Sequence, residues 1–308
     1  MSSAGRTTRR LFAAAGIASA AAATWGFGIE RHLYTLRQHT VAILPPRTDP
    51  IRILHLSDVH MAPWQGRKQA WLASLASLRP DLVINTGDNL GHQDALRGIK
   101  ASFAGLAGVP GLYVHGSNDI VAPRPRNWLK YFAGPSEPSD GPVETLDTGA
   151  LDEYFTDALG WRPLNNAAAT LDVRGHHIGA FGVDDPHVGR DRMDMVPDLA
   201  ASVADAELRF GVAHAPYRRV LDGLMAGGAD VLFAGHTHGG QVRMPGFGAL
   251  VANCDIPLHQ ARGLSTWHDD SRAIPLNVSA GVGHSIYAPV RFACRPEASL
   301  ITLVPRSA

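Results

Sequence analysis

Six short apolar runs, each closed by a turn-forming or polar residue, set the limits on what this chain can fold into. They lie at residues 51–56, 82–86, 112–115, 178–183, 209–213 and 230–234, are rich in Ile, Leu and Val, and are bounded by Gly, Asp or Pro. Runs of that length and composition predict buried strands. Between the first two, residues 67–78 place Trp71, Leu72, Leu75 and Leu78 on one helical face, and Arg79-Pro80 closes the turn. Strand and helix in alternation predict an α/β core. Residues 276–279 and 300–304 add two further strand-like runs, and the chain shows no internal repeat.

The residues just past these runs carry the chemistry. Asp58 and His60 follow the first, Asp88 the second, Asn118 and Asp119 the third, His214 the fifth, and His236 and His238 the sixth. In open α/β sheets the ligand crevice lies beyond the carboxyl ends of the strands, so these side chains are expected at one sheet edge. A single His-x-His pair is also what two hydrogen-bonded structural histidines would look like. Here the spacing recurs as Asp58-Val59-His60, and residues i and i+2 leave an extended backbone on the same side. Imidazole and oxygen donors without thiolate suit Zn, Mn, Fe and similar ions. Seven such side chains are too many for one tetrahedral ion and fit two that share a carboxylate. Two ions roughly 3.5–4 Å apart clamp a phosphoryl group and lower the pKa of a water between them to about 7. Phosphoester hydrolysis needs both the ionised nucleophile and the facing positive charge.

The order Asp-x-His, Gly-Asp, Gly-x-Asn-Asp, lone His and Gly-His-Thr-His resembles the calcineurin-like metallophosphoesterase superfamily over residues 51 to 304. The extended Gly235-His236-Thr237-His238-Gly239-Gly240-Gln241 is similar to its bacterial branch of twin-arginine-exported or membrane-associated phosphodiesterases, as are Pro289-Val290-Arg291-Phe292 and Pro296-Glu297. The resemblance implies a four-layer αββα sandwich, two mixed sheets flanked by helices. It implies two metal ions (Mn, Zn or Fe) and attack on a phosphodiester, pyrophosphate or phosphomonoester, nucleotide- or lipid-linked, by a hydroxide held between them. Asp58, His60 and His238 would hold the first ion. Asn118, His214 and His236 would hold the second, with Asp88 bridging.

One position departs from that pattern. The superfamily reads Gly-Asn-His-Asp/Glu where this chain has Gly116-Ser117-Asn118-Asp119. Counting from Tyr113 keeps Asn118 as the ligand and puts Asp119 in place of the histidine that protonates the leaving oxygen. Sliding by one would make Ser117 the ligand and put Asn118 in that place. Asp119 is therefore the candidate catalytic acid, which requires a pKa well above about 3.9. His115, His92 and His187 are the alternative proton carriers, His115 being the one nearest the motif; each also reads as a solvated or structural histidine.

The remaining features place the enzyme rather than its chemistry. Thr8-Arg9-Arg10-Leu11-Phe12 precedes an Ala/Gly-rich stretch to Phe27, which reads as a twin-arginine export signal or a retained membrane anchor over residues 1–29. The catalytic domain would then be residues 30–308, in the cell envelope. Residues 123–166, rich in Pro, Gly, Ser and acid, are expected to form an insertion or cap, with a basic patch at Arg124, Arg126 and Lys130 beside Trp128 and Tyr131. Cys254 and Cys294 are the only cysteines, either one disulfide or two buried thiols. Lys plus Arg equals Asp plus Glu at 28 each, so no nucleic-acid partner is indicated. A non-catalytic scaffold on the same fold is the competing class. Retention of all four histidines, His60, His214, His236 and His238, argues against it.

Overall fold

The structure, a computed structural model, describes residues 3–125 and 144–307. The first sheet contains β1 (Thr35–Leu44), β2 (Ile51–Leu56), β3 (Leu82–Asn85), β4 (Gly111–Tyr113), β5 (Trp161–Pro163) and the last strand, β14 (Glu297–Pro305), in the order β1-β14-β2-β3-β4-β5. Strands β2 to β5 run parallel, and β14 runs antiparallel to β2. The second sheet contains β6 (Ala167–Val173), β7 (His176–Gly182), β8 (Leu208–Val212), β9 (Val231–Ala234), β12 (Gly263–His268) and β13 (Ala273–Val278), in the order β12-β13-β9-β8-β7-β6. Its four inner strands are parallel and its two edges antiparallel. A short hairpin, β10 (Arg243–Met244) and β11 (Gly248–Ala249), projects between β9 and β12.

Three apolar clusters make the layers. Ile51, Ile53, Ile84 and Leu112 of the first sheet meet Ile178, Phe210, Val212 and Phe233 of the second. The alternate residues Leu54 and Leu56 point the other way, onto α2 (Gly66–Ser74), α3 (Leu96–Phe103) and α4 (Thr148–Glu153). On the far side α5 (Val196–Ala201) and α6 (Arg218–Ala226) cover the second sheet, α6 through the stripe Val220, Leu221, Leu224 and Met225. This is the expected αββα sandwich. Burial on both faces is why its inner strands read as predominantly apolar runs.

Two expectations change. The C-terminal part of the supposed cap is core: α4 carries Leu151 to the first sheet, Phe155 and Leu159 follow at helical spacing, and Trp161 opens an edge strand. Residues 126–143, with Arg126, Trp128, Lys130 and Tyr131 of the basic patch, lie outside the described residues. The long strand β1 gave no signal because it is an edge strand whose first six residues, from Thr35 to Thr40, are not buried.

At the N-terminus α1 (Ser3–Ala23) runs into a wider helical turn, Thr24–Ile29, and the stretch Arg9–His32 is long and apolar enough to cross a membrane and is almost wholly unburied. The fold begins before residue 30. Gly26 is buried against Arg291, and the Glu30 carboxylate accepts the backbone N–H groups of Ala293 (2.9 Å) and Cys294 (2.6 Å). Both cysteines are free thiols, so no disulfide links them.

Candidate metal centre

The loops after β2, β3, β8 and β9 converge at one edge of the sandwich. The expected extended backbone is absent there. Asp58 (φ 48°), His60 (41°), Asp88 (56°), His236 (65°) and His238 (49°) are all left-handed. For a non-glycine residue that conformation costs roughly 1–2 kcal/mol and persists only where the surroundings impose it. Here they do: Asp58, His60 and Met61 donate their backbone N–H groups to the carbonyls of Gly87, Asp88 and Asn89, locking one ligand loop against the next. At Gly116 a Cβ would stand 2.2 Å from Asp88 Oδ1 and 2.6 Å from His214 Cε1, so only glycine fits between those side chains.

The donors form two overlapping groups: the ligand atoms of Asp58, His60 and His238 lie within 4.8 Å of one another, and so do those of Asp58, Asp88 and His214. Nε2 of His60 is 3.1 Å from Nε2 of His238 and 3.4 Å from Asp88 Oδ2, and the same oxygen is 3.7 Å from His214 Nε2. Asp88 therefore stands between the two halves. Asn118 sits on it, its backbone N–H donating to Oδ1 (2.8 Å) and its amide to Oδ2 (2.9 Å). His236 is less converged: its Nε2 faces Asn253, 3.3 Å from that carbonyl, and its ring centroid is 5.1 Å from that of His214.

Electrostatics ask for cations. Asp58 is pushed up to about 7, by burial first and by Asp88 second, against the pull of His214, Ser57 and the His236 N–H. Burial also raises Asp88, and it raises Asp185 to about 6. Burial would strip His214 of its proton, yet Asp88, Asp185 and Asp58 push it up to about 9. His60, His236 and His238 fall well below the usual range through burial and neighbouring positive groups, which keeps them neutral. Among the described residues, Asp58 Oδ1 and His214 Nε2 are buried and accept no hydrogen bond. His214 Nδ1 donates to the Thr86 carbonyl (2.6 Å), which aims Nε2 at the Asp88 carboxylate, where a bound cation would take the place of its proton. Buried carboxylates, neutral imidazoles and unpartnered ligand atoms fit divalent metal ions.

Several residues at the centre escaped the sequence reading. Lys68 is buried, its Nζ donating to the carbonyls of Val59 (2.6 Å) and His60 (3.2 Å) beneath the first ligand loop. Its signal was a charge at an apolar position, three and four residues before Trp71 and Leu72. Arg291, noted in the sequence only within the Pro289-Val290-Arg291-Phe292 motif, is fully buried and reaches His238. Asp185, Asn253 and His284 carry no motif. They come into reach through loops after β7, β11 and β13.

Asp119 and His115 take different positions from those expected. Asp119 is fully buried, and its carboxylate accepts the N–H groups of Asn89 (2.7 Å), Leu90 (3.1 Å) and Gly116 (3.1 Å). That is the environment of a loop brace rather than of a proton donor to substrate. His115 Nε2 lies 2.8 Å from Asp152 Oδ1 and its Nδ1 3.6 Å from Asp119 Oδ2. Burial works against charge on it, but the two carboxylates push it up to about 9. His92 stands edge-on to the exposed Trp64. His187 is half-buried with its ring centroid 4.3 Å from that of His236 and its Nδ1 3.0 Å from the Tyr217 hydroxyl.

Comparison with known proteins agrees with this geometry. The family model described as calcineurin-like phosphoesterase matches residues 51–240. YpbG of Bacillus subtilis is 26% identical, over 87% of this chain and 87% of its own length. The metallophosphoesterase YkuE of the same organism is 22% identical over 93% of this chain and 92% of its own. The phosphodiesterase YaeI of Escherichia coli is 26% identical over 96% and 99%.

Proposed function

The chain belongs to the calcineurin-like phosphoesterase family, and we propose that it is a phosphodiesterase working through two metal ions. The observation that carries this is the overlap of the two donor groups at Asp58, with Asp88 Oδ2 between His60 and His214. Asp58, His60 and His238 would hold one ion, Asn118, His214 and His236 the other, and Asp88 both; Mn, Zn or Fe suit these donors. When bound, the ions would supply positive charge facing the phosphoryl oxygens and would lower the pKa of a water to about 7.

The protein's own residues do the rest. Thr86 holds the His214 tautomer, Lys68 and Asp119 fix the ligand loops, and Asn118 orients the Asp88 carboxylate. His187, beside His236 and still partly open to solvent, is the residue we assign to protonate the leaving oxygen, in place of Asp119. The diester preference rests on the likeness to the phosphodiesterase YaeI, and a location in the cell envelope on the apolar stretch Arg9–His32. A pure scaffold would have no use for three buried carboxylates and an unpartnered imidazole nitrogen, which are costly to keep without cations.

The test is hydrolysis of bis-p-nitrophenyl phosphate beside p-nitrophenyl phosphate by the full chain in detergent, loaded with Mn or Zn, with His236→Ala as control. Diester turnover that is lost in the control is the expected result. Turnover unchanged by His236→Ala or Asp88→Ala would overturn the two-ion reading.

A further inference from the structure

The chain between His238 and Asn253 leaves the metal centre and returns to it. Gly240 packs against Ala249 and the Val251 carbonyl, and Asn253 faces His236. The excursion between these ends is the β10–β11 hairpin, with Pro245 and Gly246 at its turn. Its apolar side chains point outward: Met244 is 53% exposed and Phe247 72%. Residues 239–254 include no acidic side chain, and Arg243 and Arg262 line the approximately 470 Å³ cleft beside the tip. An exposed Phe and Met flanked by arginines is an expensive surface to leave in water.

The neighbour of this hairpin is the end of the N-terminal helix. Arg243 donates its N–H to the Phe292 carbonyl and Val242 bridges Phe292. The next two residues, Ala293 and Cys294, are those clamped by Glu30, and Ala293 also lines the cleft. Around Glu30 the helix exposes Trp25 (40%), Phe27 (50%) and Ile29 (43%). At about 1.5 Å per residue the 24-residue stretch measures roughly 36 Å, enough for a hydrocarbon core of about 30 Å. In such a helix Trp25 and Phe27 fall at the headgroup level, where aromatic rings concentrate. Phe292, paired with Arg243 at the base of the hairpin, directly precedes Ala293 and Cys294, which are held by Glu30, three residues past Phe27.

We propose that the β10–β11 hairpin seats on the bilayer surface beside the N-terminal helix, Met244 and Phe247 entering the headgroup boundary and Arg243 and Arg262 facing lipid phosphates. This rests on the reading of residues 9–32 as a membrane anchor. The catalytic domain is then held at two points instead of swinging on one. Because both ends of the hairpin loop are built into the metal centre, the seat fixes how the centre faces the membrane. Arginine heads with apolar tips suit an interface that is wet on one side and apolar on the other.

The experiment places a nitroxide at Phe27→Cys, Met244→Cys or Phe247→Cys in the full chain, with Asp172→Cys as the water reference. The protein is reconstituted in vesicles of phosphatidylethanolamine and phosphatidylglycerol. Cys294 is buried and burial raises the Cys254 thiol to about 12, so the labelled parent chain corrects for both. Collision with oxygen is compared with collision with a water-soluble nickel chelate. Expected is an oxygen-favoured ratio at 27, 244 and 247 and a chelate-favoured ratio at 172. A chelate-favoured ratio at 244 and 247 with 27 oxygen-favoured would overturn the seat and leave the anchor standing. A chelate-favoured ratio at 27 as well would remove the anchor and the proposal together.

Discussion

The buried guanidinium of Arg291 lies 3.3 Å from Nδ1 of His238 and ties that candidate ligand to a ring of backbone carbonyls. It donates to Ala280 (2.8 Å), Gly281 (3.2 Å), Gly283 and Cys294 (3.4 Å), and Cys294 Sγ in turn lies 3.3 Å from the His238 carbonyl. No carboxylate pairs with it among the salt bridges of the described residues. Its positive charge is met by backbone carbonyls, the His238 ring nitrogen and the Cys294 sulfur.

Arg291→Lys is therefore not conservative. One ammonium cannot reach carbonyls spread around a planar fork, so several acceptors are left buried and unmade. The variant is expected to lose about 2–4 kcal/mol of stability and to bind metal about 10–100-fold more weakly. Denaturant unfolding and titration calorimetry with Mn check the two separately. Unchanged metal affinity would show that Arg291 braces the loop without orienting His238.

Gly116→Ala tests the tightest point of the centre. Its Cβ would overlap Asp88 and His214, whereas at Gly108 (φ 81°) a Cβ meets nothing within 4 Å. Gly108→Ala should cost only the left-handed backbone term, about 1–2 kcal/mol. Gly116→Ala should cost a similar amount of stability through overpacking, about 1–3 kcal/mol, and in addition abolish measurable metal-dependent turnover. Equal activity in the two alanine variants would mean that Asp88 and His214 shift without consequence.

Much of this candidate site was legible because the side chains that converge there follow buried strands. Two-sided burial makes β3 and β9 almost wholly apolar, leaves β2 and β8 apolar but for Arg52, His55 and Arg209, and each run is followed by a side chain with lone pairs. What could not be read depends on contacts between distant segments. Nothing local marks Asp58 or His238 as left-handed, since the conformation is imposed by Gly87, Asp88 and the loops around them. Asp119 looked like a displaced acid because its partners, Asn89 and Leu90, are some thirty positions away. The polar edge strand β1 was silent for the opposite reason: its pairing is with the last strand of the chain.

Asp119→Ala and Asp119→Asn separate a brace from an acid. Alanine leaves three backbone donors without an acceptor, at about 1–3 kcal/mol each, so unfolding should come markedly earlier. Asparagine keeps one acceptor oxygen and should lose less. In either variant the basic limb of the pH–rate profile should remain where it is in the parent. Disappearance of that limb would return the acid role to Asp119.

The His115–Asp152 pair predicts how stability depends on pH. His115 is pushed up to about 9 in the folded chain and titrates near 6.5 when unfolded. A raised folded pKa means the unfolded chain releases its proton first, so the contribution is complete below about pH 6.5 and lost as pH rises through about 9. Asp152→Asn removes one of the two carboxylates. The stability gap between parent and variant should therefore narrow across that window, as followed by thermal unfolding at a series of pH values. A gap that stays constant would place the interaction with the neutral imidazole.

His187 is the proposed proton donor, and leaving-group chemistry separates that role from a structural one. A general acid matters most when the departing oxygen is basic and little when it leaves as a stable anion. His187→Ala should lower kcat about 100-fold on alkyl phosphodiesters while leaving p-nitrophenyl esters nearly untouched. The dependence of log kcat on leaving-group pKa should accordingly become steeper. The ring also packs on His236 at 4.3 Å and meets Tyr217, so a purely positional role is the competing account. That role would lower kcat by the same factor for every leaving group, together with metal affinity. A parallel loss across the series would thus assign His187 to holding His236, and the proton to water.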